Sequence, residues 1–203
     1  MTRQISLFPA GDGEPPAAPA AEATELRISR AQLSAWLQRI ADHQQPLLQK
    51  QPAPGRQMDL LGSASGATSI EQHAEELAPL ALAPRHLQFW RWPSPDLSGA
   101  AIYLVMDQPA GLASPLLLYV GETGRADQRW KGDHDCKAYL SAYREALVRA
   151  GLESQPTIRF WSDVPSGSAA RRRLEQALIQ RWQPPFNKET RSRWATPFHA
   201  GPA

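Results

Sequence analysis

Hydrophobic and polar positions change rhythm several times along this chain. Leu33, Trp36, Leu37 and Ile40 recur at helical spacing behind Ser29 and Gln32, a serine–glutamine pair that reads as a capping box. They predict a helix running to about Asp42, with one apolar face that must dock, because so short an amphipathic helix does not stand alone in water. Ser69 and Gln72 repeat the signal ahead of a shorter helix ending near Leu77. Residues 86–92 hold three aromatics in seven positions and read as an extended piece covering a sheet.

From Gly99 the pattern becomes denser. Residues 100–106 and 116–122 are β-rich runs on either side of a Pro- and Gly-bearing loop, a hairpin-like pair. Residues 137–150 carry Leu140, Tyr143, Leu147 and Val148 at helical spacing, and residues 157–161 read as a third strand. Residues 168–182 form a helix with Leu174, Leu178 and Ile179 inward, ended by Pro184-Pro185. The order β-β-α-β-α predicts an α+β domain over residues 99–190, a small central antiparallel three-stranded sheet flanked by helices. Residues 1–25 read as a flexible tail, because residues 9–23 have too few bulky apolar side chains to pack. Residues 26–98 read as a helical and linker extension, and residues 191–203 as a C-terminal tail.

Composition narrows the setting. The 203 residues suffice for one core plus extensions. Residues 100–203 carry fourteen Lys/Arg against ten Asp/Glu, whereas residues 1–99 carry eight against ten. A basic C-terminal half suits a polyanionic partner. Cys136 is the only cysteine, which excludes an intrachain disulfide and a cysteine zinc cluster. No charged-then-apolar leader and no apolar run of membrane length is seen, so a cytoplasmic protein without a membrane partner is expected.

The candidate chemistry lies in a dispersed set: Ala101-Ile102-Tyr103, Tyr119-Val120-Gly121, Arg129, Glu175 and Asn187. Hydrolysis of a phosphodiester asks for an activated water, a Lewis acid and a cationic group on the phosphate. Glu175 is the only carboxylate in its helix, and a hard divalent cation that keeps its waters can be held by one carboxylate. On the helix alone, an exposed glutamate pairing with Arg171 or Arg172 is the more ordinary role. Tyr103 and Tyr119 fall in adjacent strands, and a phenol near cations can act as a base or orient water. Two amphipathic tyrosines at a sheet edge are the alternative. Arg129 offers a planar fork for a phosphate, with Arg125 as its rival. His134 can relay a proton or be a plain surface histidine. The run from Asp133 to Cys136 does not make a metal site, because consecutive residues rarely converge on one ion.

In order, spacing and residue type this set resembles the signature of the GIY-YIG nucleases. The resemblance covers roughly the second half of the chain. It implies that Glu175 holds Mg²⁺ or Mn²⁺, that Tyr103 is the general base, and that Tyr119 positions phosphate or water. It implies Arg129 on the phosphate, His134 assisting, and Asn187 closing the motif Glu175 to Pro184-Pro185-Phe186-Asn187. Two positions depart from the family: Ala101 stands where it has its first glycine, and Val120 where it has isoleucine. Neither removes a polar role.

Two peptides outside this region, Gln4-Ile5-Ser6-Leu7-Phe8 and Gln57-Met58-Asp59-Leu60-Leu61, resemble the ligand by which bacterial repair and replication proteins bind the DNA sliding clamp. A glutamine at the pocket rim and two apolar anchors carry that likeness. Two copies would raise avidity on a ring with equivalent pockets. The expectation is therefore a metal-dependent DNA endonuclease, nicking or structure-selective, recruited by the clamp in repair, recombination or replication. The alternatives are a non-catalytic DNA-binding clamp adaptor and a restriction or mobile-element nuclease, for whose recognition domain the chain leaves little room.

Overall fold

A computed structural model describes residues 28–50, 69–91, 98–131 and 135–198. Helix α1 (Arg30–Gln49) and helix α2 (Ile70–Glu76) both begin with the expected capping boxes, Ser29 with Gln32 and Ser69 with Gln72. Strand β1 (Arg85–His86) precedes β2 (Ala101–Asp107) and β3 (Leu116–Thr123). Helix α3 (Asp135–Arg149), strand β4 (Thr157–Trp161), helix α4 (Ser168–Trp182) and the short α5 (Arg191–Trp194) complete the order.

The protein is α+β, with one antiparallel sheet in the order β1-β4-β2-β3. The expected three-stranded sheet has a fourth strand, because Arg85 and His86 pair with Ile158 and Thr157 along the outer edge of β4. A two-residue strand has no period to read in sequence, and only the open edge beside it makes it a strand. Helix α1 also runs past its expected end, through Pro46 to Gln49. Leu47 and Leu48 pack against the core there, which offsets the hydrogen bond the proline removes.

Helices cover both faces of the sheet. Ala101, Tyr103 and Val105 of β2 pack with Leu33, Trp36, Leu37 and Ile40 of α1, with Tyr143 and Leu147 of α3, and with Phe186 and Trp194. Ile102, Leu104 and Met106 face the other way, onto Leu174, Leu178, Ile179 and Trp182 of α4 and Ala74 of α2. Strand β2 is therefore buried along its whole length. Burying both faces favours a continuous apolar run over alternation, as its sequence shows.

Strand β3 ends the sheet, so its outer N–H and C=O groups need partners. Side-chain amides supply several of them. Gln44 of α1 accepts from Leu117 N–H at 2.8 Å and donates to Leu117 C=O at 2.9 Å. Asn187 accepts from Val120 N–H at 2.9 Å and donates to Val120 C=O at 2.8 Å. Between them, Phe186 N–H donates to Leu118 C=O at 3.0 Å. Among the described residues no helix is long and apolar enough to cross a membrane.

Candidate active site

A β-bulge decides where the tyrosines point. Val105 pairs with Tyr119 and Met106 with Leu117, leaving Leu118 without a partner on β2. Strict alternation from Leu117 would turn Tyr119 to the α4 face, and the extra residue turns it to the Tyr103 face instead. The two rings then stack, with centroids 5.9 Å apart and planes 27° from parallel.

Tyr103 is wholly buried, with Trp130 edge-on at 5.9 Å and Phe160 at 6.3 Å. Its cross-strand partner is Gly121, and a β-carbon there would fall within the phenol, 2.7 Å from Cε1 and nearer still to Cζ and the hydroxyl. Arg129 Nε donates to the Tyr103 hydroxyl at 3.2 Å. A hydrogen bond links the two phenols, lowering the acidity of Tyr103 and raising that of Tyr119. Burial is the larger influence on both, so each loses its proton less readily than a free tyrosine. Tyr119 is the half-buried member of the pair and the one with access to water.

Glu175 comes from α4, across the sheet, and reaches the open edge of β3. Its Oε1 accepts from Glu122 N–H at 3.1 Å. Burial, and after it the like charge of Glu122, push Glu175 up to about 7. Arg129 acts in the opposite sense, which places its charge near the same carboxyl. The arginines beside Glu175 in α4 pair elsewhere. Arg171 Nε binds Glu122 Oε2 at 2.7 Å and Arg172 Nε lies 3.6 Å from Glu122 Oε1. Among the described residues no three His, Cys, Asp or Glu side chains gather as a metal cluster.

The structure thus brings Tyr103, Tyr119, Arg129 and Glu175 to one end of β3, with Asn187 clamping Val120 just behind. Ala101 buries its methyl in the core on the Tyr103 face, and Val120 lies in the opposite core. His134 and both clamp-like peptides, residues 4–8 and 57–61, lie outside the described residues. Glu122 was not expected at the site, and Arg171 was weighed only as an ordinary partner for Glu175, whereas it binds Glu122. The signal for Glu122 was available: it is the only charged residue in the apolar run Leu116–Thr123. Arg171 carried none, because its burial exists only once α4 lies on β3. Comparison with protein-family models, with curated proteins and with solved structures finds no match to this chain.

Proposed function

We propose that this protein is a metal-dependent endonuclease that hydrolyses DNA phosphodiester bonds, with a GIY-YIG-like domain as its catalytic part. One observation carries the reading: two stacked phenols, an arginine hydrogen-bonded to one of them and a carboxylate meet at one strand edge.

The residues present fit a hard divalent cation. Glu175 is a partly buried carboxyl crowded by Glu122, and a cation would relieve that like-charge contact. Mg²⁺ or Mn²⁺ would rest on Glu175, retain waters, and supply Lewis acidity at the phosphate. The chain's own residues do the rest. Tyr119, the phenol with access to water, acts as the base in its phenolate form: its own proton leaves to solvent first, and the phenolate oxygen then takes the proton of the attacking water. Tyr103, held by Arg129, keeps its proton and supports Tyr119 through the bond between them. This divides the tyrosine roles differently from the family resemblance, and the reason is burial. Arg129 sets positive charge against the phosphate, and Asn187 keeps β3 in register.

The test uses the full chain on labelled flaps, forks, mismatches and plain duplexes, with Mg²⁺, Mn²⁺ or EDTA. Metal-dependent nicking, lost in Glu175→Ala, is the expected result. Cutting retained by that variant refutes the site, and DNA binding without cutting in any condition favours a clamp adaptor. Recruitment by the sliding clamp is part of the proposal and rests on Gln4–Phe8 and Gln57–Leu61. Leu7→Ala/Phe8→Ala combined with Leu60→Ala/Leu61→Ala should remove clamp binding in a titration with purified clamp, and unchanged affinity would remove the clamp from the reading.

A further inference from the structure

Two exposed arginines, Arg125 and Arg172, flank this site and take no part in the chemistry described above. Arg172 and its sequence neighbour Arg171 have opposite circumstances. The Arg171 side chain is 5% exposed, and it is bonded to Glu122 and to the carbonyls of Pro165 at 3.2 Å and Ser166 at 2.8 Å. It is committed to the fold. The Arg172 side chain is 70% exposed, and its 3.6 Å approach to Glu122 is longer than a hydrogen bond. A surface pair of this kind contributes little in water and exchanges readily for a stronger anion.

Arg125 stands on the loop beyond β3. Arg129 N–H donates to Arg125 C=O at 3.1 Å, so the two arginines bound a single tight turn. Thr123 Oγ1 accepts from Arg125 N–H at 3.0 Å and ties the loop to the end of the strand. The loop also meets the start of α4, since a β-carbon at Gly124 would lie 3.7 Å from Arg171 Nη2. Arg125 is exposed, and the first turn of α4 carries no acidic residue. Two exposed arginines thus flank the end of β3, Arg125 one turn before Arg129 and Arg172 beside Glu122.

We infer that Arg125 and Arg172 form a second phosphate grip, holding backbone phosphates of a DNA strand on either side of the one at Arg129. The inference rests on the nuclease reading. Glu122 is the resting partner of Arg172 in the DNA-free protein, and phosphate replaces it. Such contacts fix the register of the strand without reading its bases, so they govern affinity and its salt dependence and leave sequence preference unchanged.

The experiment measures binding of a labelled DNA duplex to the full chain in EDTA, where no cutting occurs, by fluorescence anisotropy across a KCl series. Each phosphate left without its arginine should flatten the slope of log K against log salt by about 0.9, so Arg125→Gln/Arg172→Gln should flatten it by ~2. Arg125→Lys/Arg172→Lys, which keeps both charges, should retain most of the slope and decides the matter if the Gln variant melts early. Arg144→Gln is the control and should bind like the parent. Arg144 is exposed on α3 beside residues 151–155, and Gln155 N–H bonds Asp107 at the far end of β2. A parent that binds and nicks DNA while the double Gln variant keeps its slope overturns the grip and leaves the nuclease reading standing. A parent that neither binds nor cuts DNA, including one that binds only a matched RNA duplex, overturns both.

Discussion

The phenol of Tyr103 occupies the space where Gly121, its partner on the neighbouring strand, would carry a side chain. The glycine is needed for close approach and not for an unusual backbone angle, because Gly121 is not among the residues with positive φ. Gly121→Ala should displace the ring, break its bond to Arg129 and destabilise the fold by about 1–3 kcal/mol. In a Tyr103→Ala background the same change should cost almost nothing, so a double-mutant cycle by chemical denaturation should show strong coupling. Additive effects would mean that the ring does not hold this place in solution.

The two tyrosines should separate kinetically. Tyr119→Phe removes the phenol with access to water and should lower single-turnover nicking by about 10²–10⁴-fold. Tyr103→Phe removes a buried hydroxyl bonded to Arg129 and Tyr119 and should cost less. The reverse order would return the base to Tyr103, as the family resemblance implies.

Asn187 is a structural clamp at the back of the site. Asn187→Ala leaves Val120 N–H and C=O unpaired at a buried edge, a cost of about 2–4 kcal/mol. That is a fall of roughly 4–16 °C in melting temperature for a chain of this size. Asn187→Asp keeps the acceptor and should fall less in the same thermal melt. Equal losses would show that only the lost amide donor matters.

Asp107 sets an unusual pH dependence. It is buried at the end of β2, bonded to Tyr143 Oη and Gln155 N–H at 2.9 Å each. Burial nonetheless holds its proton above the ordinary value of 3.8. Over the window from 3.8 up to that raised value the folded chain binds more protons than the unfolded one, so this group's stabilising contribution is lost as pH rises. In melts across pH, the parent should lose stability relative to Asp107→Asn through that window. A difference that stays flat would show that Asp107 titrates normally.

Periodicity and capping residues were enough to locate the principal helices and the three longer strands, because spacing of apolar side chains and side chain-to-backbone caps are local properties. Ser168–Trp182 and Thr157–Trp161 begin and end where the sequence predicts. The members of the proposed site, Tyr103, Tyr119, Arg129, Glu175 and Asn187, were picked out by their resemblance to the GIY-YIG signature. What they do to one another was not legible there. The bulge at Leu118 turns Tyr119 toward Tyr103, Arg171 binds Glu122 in place of Glu175, and Glu175 meets the N–H of Glu122 across the sheet. The edge strand Arg85–His86 and the amide clamps of Gln44 and Asn187 belong to the same class. The sequence by itself determined the longer elements and the inventory of reactive groups. Tertiary structure alone decided register, burial and partner choice, because those depend on which backbone groups a neighbouring element leaves unpaired.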